Sequence, residues 1–272
     1  MAKHCSPNKE HRSISCFSKD SLQKIAKVLN ERNSGGGGRR INLSTNKANL
    51  WQQIKERMSY KCNSESCWIE QDFIKNIGDP ELTEESFRPK MPKEWKNNPN
   101  EWLSTTDINS VMNQYEKQYP DFLYLGAVPS DCPNGIICEL SNIKLNHLAK
   151  DGQNRVGIIY NLDPHYKNGS HWVAAYINVS KNLVWYYDSN GLPPIKPIRS
   201  FLSQMEKQLS YINNSKPYYA YNKRRHQYGN NECGMYSMYF LVNCLKGKTI
   251  SQISRMNIPD KTMNILRRLW FR

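Results

Sequence analysis

The sequence predicts an α+β fold, and three stretches in its second half carry that expectation. Residues 171–177 (HWVAAYI) and 183–187 (LVWYY) are β-branched and aromatic runs joined by 178–182, so they read as an antiparallel hairpin. Between about residues 197 and 212, Ile198, Phe201, Leu202, Met205, Leu209 and Ile212 recur at helical spacing. A mostly apolar segment of helical length, residues 235–245, follows a polar, turn-rich run. Strands and helices mingle without strict alternation, which favours α+β over a doubly wound sheet.

Taken in order, residues 18–32 begin with Ser and Asp as capping candidates and carry Leu22, Ile25, Ala26, Val28 and Leu29 on one helical face. Four consecutive glycines at 35–38 cannot hold a helix, so a flexible link is expected there. A second helix is expected over 45–58, with Leu50, Ile54 and Met58 on one side, and a third short one from Trp68, Ile69, Phe73 and Ile77. These make a basic helical N-terminal arm over residues 1–86. Three prolines with several Asn, Lys and Arg mark 87–100 as a linker, and residues 101–272 form the second domain. In that domain Thr105 or Thr106 caps a helix bearing Ile108, Val111, Met112 and Tyr115. Residues 122–125, 156–160 and 217–221 read as further strands, and 260–269 as a final helix.

Composition bounds the function. The chain of 272 residues carries a net charge of +14. Residues 1–61 hold much of the excess, thirteen Lys and Arg less four Asp and Glu, or +9. Such a field attracts nucleic acid or an acidic protein. No window approaches eighteen consecutive apolar residues, and the N-terminus lacks the apolar core of a signal peptide, so a soluble, non-secreted chain without membrane insertion is expected. On that basis Cys5, Cys16, Cys62, Cys67, Cys132, Cys138, Cys233 and Cys244 are expected to stay reduced. Their spacings miss the usual zinc pattern, so neither a metal nor a cofactor is expected.

One cysteine stands out. Cys233 falls where the polar run Gln227-Tyr-Gly-Asn-Asn-Glu232 meets the apolar helix, and the unpaired N–H groups of a helix N-terminus favour a thiolate. Gly234 beside it lets the chain approach a substrate closely. A nucleophilic thiol needs a base and an orienting group. The hairpin supplies both: His171 opens one strand and Asp188 ends the next, so the two meet at one sheet edge. Asn190 takes the place of Asp188 if the register is off by two residues. Singly, His171 reads as a strand-edge histidine and Asp188 as a turn residue; the combination with Gln227 is harder to produce by accident. His226 reads as a surface histidine, and His147 and His165 have no assigned role.

The order His171-Trp172, Asp188, Gln227-x5-Cys233-Gly234 resembles the SUMO-specific cysteine proteases and the adenovirus maturation protease. Trp102-Leu-Ser-Thr-Thr-Asp-Ile-Asn109 resembles the start of that family's W-L-N-D helix, with Thr105 in place of the Asp, and Glu232 replaces the Asp common before the cysteine. NGSHWVAAYI, YYDSNGLPP, RHQYGNNECGMYSMYF and, more weakly, ISCFSKDSLQKIAKVLN resemble the polyprotein-processing proteases of African swine fever virus and other large DNA viruses. The resemblance implies a papain-like core, a central mixed sheet flanked by helices, with a small helical N-terminal domain. It implies a His171–Asp188–Cys233 triad, Gln227 as oxyanion donor, and Trp102 and Trp172 as walls that admit only a Gly-Gly pair.

It further implies an endopeptidase that cuts viral structural polyproteins during virion maturation, in host cytoplasmic assembly sites and in the virion. The alternatives are a deconjugating protease for a SUMO- or ubiquitin-like modifier, or a non-catalytic Gly-Gly-tail binding module. The adenovirus enzyme uses DNA, which makes nucleic acid a candidate partner for the basic arm. Residues 35–38 are a candidate self-cleavage site, with a plain linker the favoured reading.

Overall fold

The computed structural model describes residues 5–9, 14–33, 39–132 and 139–272. It divides into two compact units, one of Met1–Lys90 with Trp270–Arg272 and one of Met91–Leu269. The division falls inside the 87–100 stretch, but residues 91–100 belong to the second unit, where Trp95 is buried. The last three residues return to the first unit. Arg272 donates its backbone N–H to the Pro89 carbonyl (2.9 Å) and its Nε to that of Arg88 (3.1 Å). The glycine run at 35–38 lies outside the described residues.

In the first unit α1 (Lys19–Arg32) starts where Ser18 Oγ accepts from the Ser21 N–H, and it buries Leu22, Ile25, Ala26 and Leu29. α2 (Lys47–Met58) is capped by Asn46 and buries Leu50, Ile54 and Met58. The expected third helix is two single turns, α3 (Glu65–Trp68) and α4 (Asp72–Lys75). Ser64 caps the first, and the chain turns again at Gln71 before the second. These pieces, with Phe17 and Trp68 fully buried, close around one apolar cluster. The expectation of reduced cysteines is corrected here. Cys5 pairs with Cys16 and Cys62 with Cys67, because the folded arm brings their Cα atoms to 5.2 and 5.6 Å. Cys132, in the other unit, is also disulfide-bonded.

The second unit opens with α5 (Thr105–Gln118). Its cap is Ser104 rather than either threonine, because Ser104 and Asp107 satisfy each other's backbone N–H groups in a capping box. Five strands follow: β1 (Phe122–Pro129), β2 (Arg155–Asn161), β3 (Trp172–Asn178), β4 (Leu183–Tyr187) and β5 (Tyr218–Tyr221). They pair in sequence order, with β2–β3 and β3–β4 antiparallel and both outer pairs parallel, so the sheet is mixed.

Both faces of the sheet are covered, which is why every residue of β3 and β4 is buried. On one face Val156, Ile158, Tyr160, Val173, Ala175, Ile177, Val184 and Tyr186 pack with Ile198, Phe201, Leu202, Met205 and Leu209 of α7 (Lys196–Asn213) and with Leu145 of α6 (Leu145–Lys150). Against the other lies α8 (Cys233–Leu245), where Phe240 stacks on Tyr187 of β4 at 4.9 Å. α9 (Ile250–Arg255) and α10 (Asp260–Trp270) complete the unit. The short helices α6 and α9 were not expected, since neither spans enough turns to show a period.

Candidate active site

Cys233 is the first residue of α8 and is 1% exposed, so sheet and helix together deliver a buried thiol to a helix N-terminus. The first intrahelical bond runs from the Tyr236 N–H to the Glu232 carbonyl (2.9 Å). The N–H groups before it point out of the helix end without helical partners.

His171 stands immediately before β3 and Asp188 immediately after β4. The β3–β4 register pairs Ala174 with Tyr187, and continued one step it sets Val173 opposite Asp188. His171 Nε2 lies 2.6 Å from Asp188 Oδ1. Asn190 also approaches, its Nδ2 at 3.3 Å from Nε2, but that contact joins two nitrogens, and only the carboxylate can accept the ring proton. With Nε2 committed to Asp188, Nδ1 is left for the thiol.

Burial of the His171 ring by itself disfavours its charged form. Hydrogen bonds to Asp188 and to the Cys233 side chain, with the charges on both, outweigh that and raise its pKa to about 9. The arrangement therefore favours a charged ring hydrogen-bonded to the Cys233 side chain, the base-and-nucleophile pairing that a thiol hydrolase uses.

Asp188 is itself locked. Its backbone N–H donates to Asn222 Oδ1 (2.9 Å), Asn222 Nδ2 donates back to its carbonyl (2.6 Å), and the Asn190 N–H donates to Oδ1 (2.8 Å). Ser189, between the two, reaches the other way: its Oγ donates to Gln227 Oε1 (2.7 Å), and its carbonyl accepts the N–H groups of His226 (2.8 Å) and Gln227 (3.1 Å). Gln227 is buried, and its Nε2 gives one hydrogen to the Gly229 carbonyl at 3.0 Å. The second hydrogen of that amide meets no acceptor among the described residues.

Trp102 and Trp172 line one groove of about 580 Å³, together with Leu103, Pro129, Asn161 and the 163–169 loop. Each indole is fixed through its N–H, Trp102 to Asn231 Oδ1 and Trp172 to the Leu103 carbonyl, both at 3.0 Å. Gly234 does not face this groove. A Cβ there would sit 3.0 Å from Leu103 Cδ1 and 3.1 Å from Leu103 Cβ, so its close approach is to the chain's own Leu103 and not to a substrate. Gly234→Ala is accordingly expected to cost about 1–3 kcal/mol of stability by overpacking. Because Leu103 carries the Trp172 anchor, kcat/KM should fall with it. A urea titration and a peptidase assay measure both, and an unshifted midpoint would mean that Leu103 yields freely.

Two further expectations change. His226 is not a surface histidine. It is 3% exposed, its Nδ1 lies 2.8 Å from the Tyr187 hydroxyl and its Nε2 3.3 Å from the Ser254 carbonyl, and burial lowers its pKa. His165, left without a role, lines the groove with its Nδ1 at 2.5 Å from Asp131 Oδ2. Sequence reasoning also passed over Asn222 and Ser189, whose partners lie 34 and 38 residues away. No group of three or more His, Cys, Asp or Glu among the described residues could hold a metal ion, and no helix there is long and apolar enough to cross a membrane.

Set beside known proteins, residues 159–272 match the model of the Ulp1 protease family, C-terminal catalytic domain. A protein of Acanthamoeba polyphaga mimivirus designated a thiol protease is 31% identical over 98% of this chain and 93% of its own length. The SUMO-1 cysteine protease of African swine fever virus is 22% identical over 80% of this chain and 86% of its own. The crystal structure of the African swine fever virus protease covers 100% of this chain and 96% of that one with a TM-score of 0.72 at 20% identity, so the two share a fold.

Proposed function

The chain belongs to the Ulp1 protease family, as a cysteine protease of the viral kind, and on that premise we propose that it is an endopeptidase cutting after a Gly-Gly pair. The observation that carries this reading is the 2.6 Å His171–Asp188 contact with Cys233 as the ring's other hydrogen-bonding partner. The Cys233 thiolate attacks the carbonyl carbon of the second glycine. The resulting oxyanion is held by the uncommitted N–H of Gln227 and by the backbone N–H of Cys233. As the C–N bond breaks, the His171 imidazolium gives its proton to the leaving amine and a thioester remains. Neutral His171 then takes a proton from water, whose oxygen displaces the thiolate and releases the carboxylic acid.

The groove supports the Gly-Gly choice. Trp102 and Trp172 line it together, each tied by a hydrogen bond from its own N–H, and paired indole walls of this kind would select against residues with a Cβ. A fluorogenic Gly-Gly peptide, assayed with and without a thiol alkylator, tests this reading directly. Replacing the second glycine with alanine should lower kcat/KM by roughly 10–10²-fold, and Trp102→Ala should return part of the loss. Equal turnover of both peptides by the native enzyme would remove the Gly-Gly assignment.

As the natural substrate we take viral structural polyproteins, cut in cytoplasmic assembly sites and in the virion. Release of a ubiquitin-like modifier is the alternative for the same chemistry. A polyprotein junction peptide and a modifier–lysine isopeptide, offered in competition, separate the two.

For the arm the proposed partner is nucleic acid. Arg39, Arg40 and Arg57 surround a cleft of about 370 Å³ whose other polar side chains are Asn42, Gln53 and Glu56. A duplex should bind with an affinity that falls steeply between 50 and 200 mM salt, roughly tenfold or more if three phosphates are neutralised. Salt-independent binding, or none, would remove this partner.

A further inference from the structure

The segment from Gln227 to Cys233 is braced from below by α10. Both oxygens of Asp260, the first residue of that helix, are used. Oδ2 accepts the backbone N–H groups of Tyr228 (3.0 Å) and Gly229 (2.7 Å), and Oδ1 lies 2.9 Å from the Tyr236 hydroxyl. Tyr236, three residues after Cys233 on α8, is fully buried, and its hydroxyl is also 2.7 Å from the Ile258 carbonyl. Burial and the neighbouring carboxylate hold that phenol well above its ordinary pKa, so it remains a donor. The absence of a side chain at Gly229 leaves room for these carboxylates: a Cβ there would meet Glu232 Oε2 at 2.8 Å and Asp260 Oδ2 at 3.4 Å, so Glu232 would have to move.

These contacts run in series. Asp260 fixes Gly229 through its N–H, the Gly229 carbonyl takes one hydrogen of Gln227 Nε2, and Ser189 holds Gln227 Oε1. With the carboxamide oxygen held by Ser189 and one amide hydrogen held by Gly229, the plane of the group is fixed and the remaining N–H has a set direction. We propose that Asp260 is a positioning residue that aims the Gln227 amide at the developing oxyanion. It touches neither substrate nor thiol. It reaches Gln227 through the 228–229 peptide groups, and it would be needed in the transition state more than in substrate binding.

The inference rests on the reading of Gln227 as oxyanion donor, and the test separates the two. kcat and KM for the Gly-Gly peptide are measured for the native chain, Gln227→Ala, Asp260→Ala, Asp260→Asn and the Gln227→Ala/Asp260→Ala double variant, each checked for folding by thermal denaturation. Gln227→Ala should lose about 10²–10³-fold in kcat. Asp260→Ala should lose roughly 10–10²-fold in kcat with KM within about twofold, since charge-assisted bonds to two backbone donors disappear. Asp260→Asn keeps one oxygen acceptor and should recover part of that loss. The double variant should be no slower than Gln227→Ala within about threefold, because the two residues act in one chain. Losses that multiply in the double variant, or an unchanged kcat for Asp260→Ala, overturn the proposal. A harmless Gln227→Ala would instead overturn the oxyanion assignment and, with it, this inference. If Asp260→Ala does not fold, Asp260→Asn in the native and Gln227→Ala backgrounds makes the same comparison.

Discussion

Cys233→Ser abolishes turnover while leaving the fold intact: kcat should fall by about 10⁴-fold or more, with an unchanged thermal midpoint. The oxygen is smaller than the sulfur it replaces and sits at a buried helix start whose packing it does not disturb. What it lacks is acidity. An imidazole that readily holds an imidazolium–thiolate pair cannot hold the corresponding alkoxide, so the nucleophile is protonated at every working pH. Alkylation gives an independent count. Cys233 and Cys244 are the free cysteines among the described residues, and burial pushes the Cys244 thiol well up. Mass spectrometry should therefore find iodoacetamide first on Cys233, with activity lost in step. Ordinary turnover by the serine variant would end the thiol assignment.

Asp188→Asn is expected to cost roughly 10²–10⁴-fold in kcat/KM and to move the alkaline limb of the pH profile downward. The sign follows from His171. Its pKa stands at about 9 against burial because Asp188 and Cys233 favour the charged ring, and the charged ring is the acid that protonates the leaving amine. Native activity should thus decline as pH rises through about 9. Removing the carboxylate's charge leaves burial less opposed, so the ring loses its proton at lower pH and the decline begins earlier. The same group adds a term to stability that is fully present below the ordinary histidine pKa of 6.5 and is lost as pH rises through about 9. An Asp188→Asn profile that kept its alkaline limb in place would show that the carboxylate does not govern the ring.

Much of this site was legible before any coordinates because its parts lie at the ends of periodic elements. A β-branched run, a short connection and an aromatic run force antiparallel pairing, and pairing carries His171 to Asp188 without further information. Cys233 was legible for a similar reason, since an abrupt change from polar to apolar residues marks a helix start. The supports were not. Ser189, Asn222 and Asp260 all sit in stretches where Ser, Asn and Asp are ordinary turn formers or caps, and nothing local distinguishes a turn residue from one that reaches a partner 24 to 38 residues away. His226 went wrong on the same ground: its neighbours Arg224, Arg225 and Gln227 suggest a surface, while the ring enters the core beside Tyr187. The cysteine pairs of the arm failed for a different cause. Chain length and the lack of a signal segment argue about compartment, whereas Cys62 and Cys67 meet because a single helical turn folds one over the other.

Asp188, Ser189 and Asn190 are three adjacent links, yet they serve two opposite banks of the cleft. The outer two address the ring of His171 and the middle one addresses the amide of Gln227. Proton handling and charge stabilisation are thereby geared to a single hinge point. Lengthening that turn by even one glycine would put both out of mesh at once, and no compensating change at either bank alone could restore them.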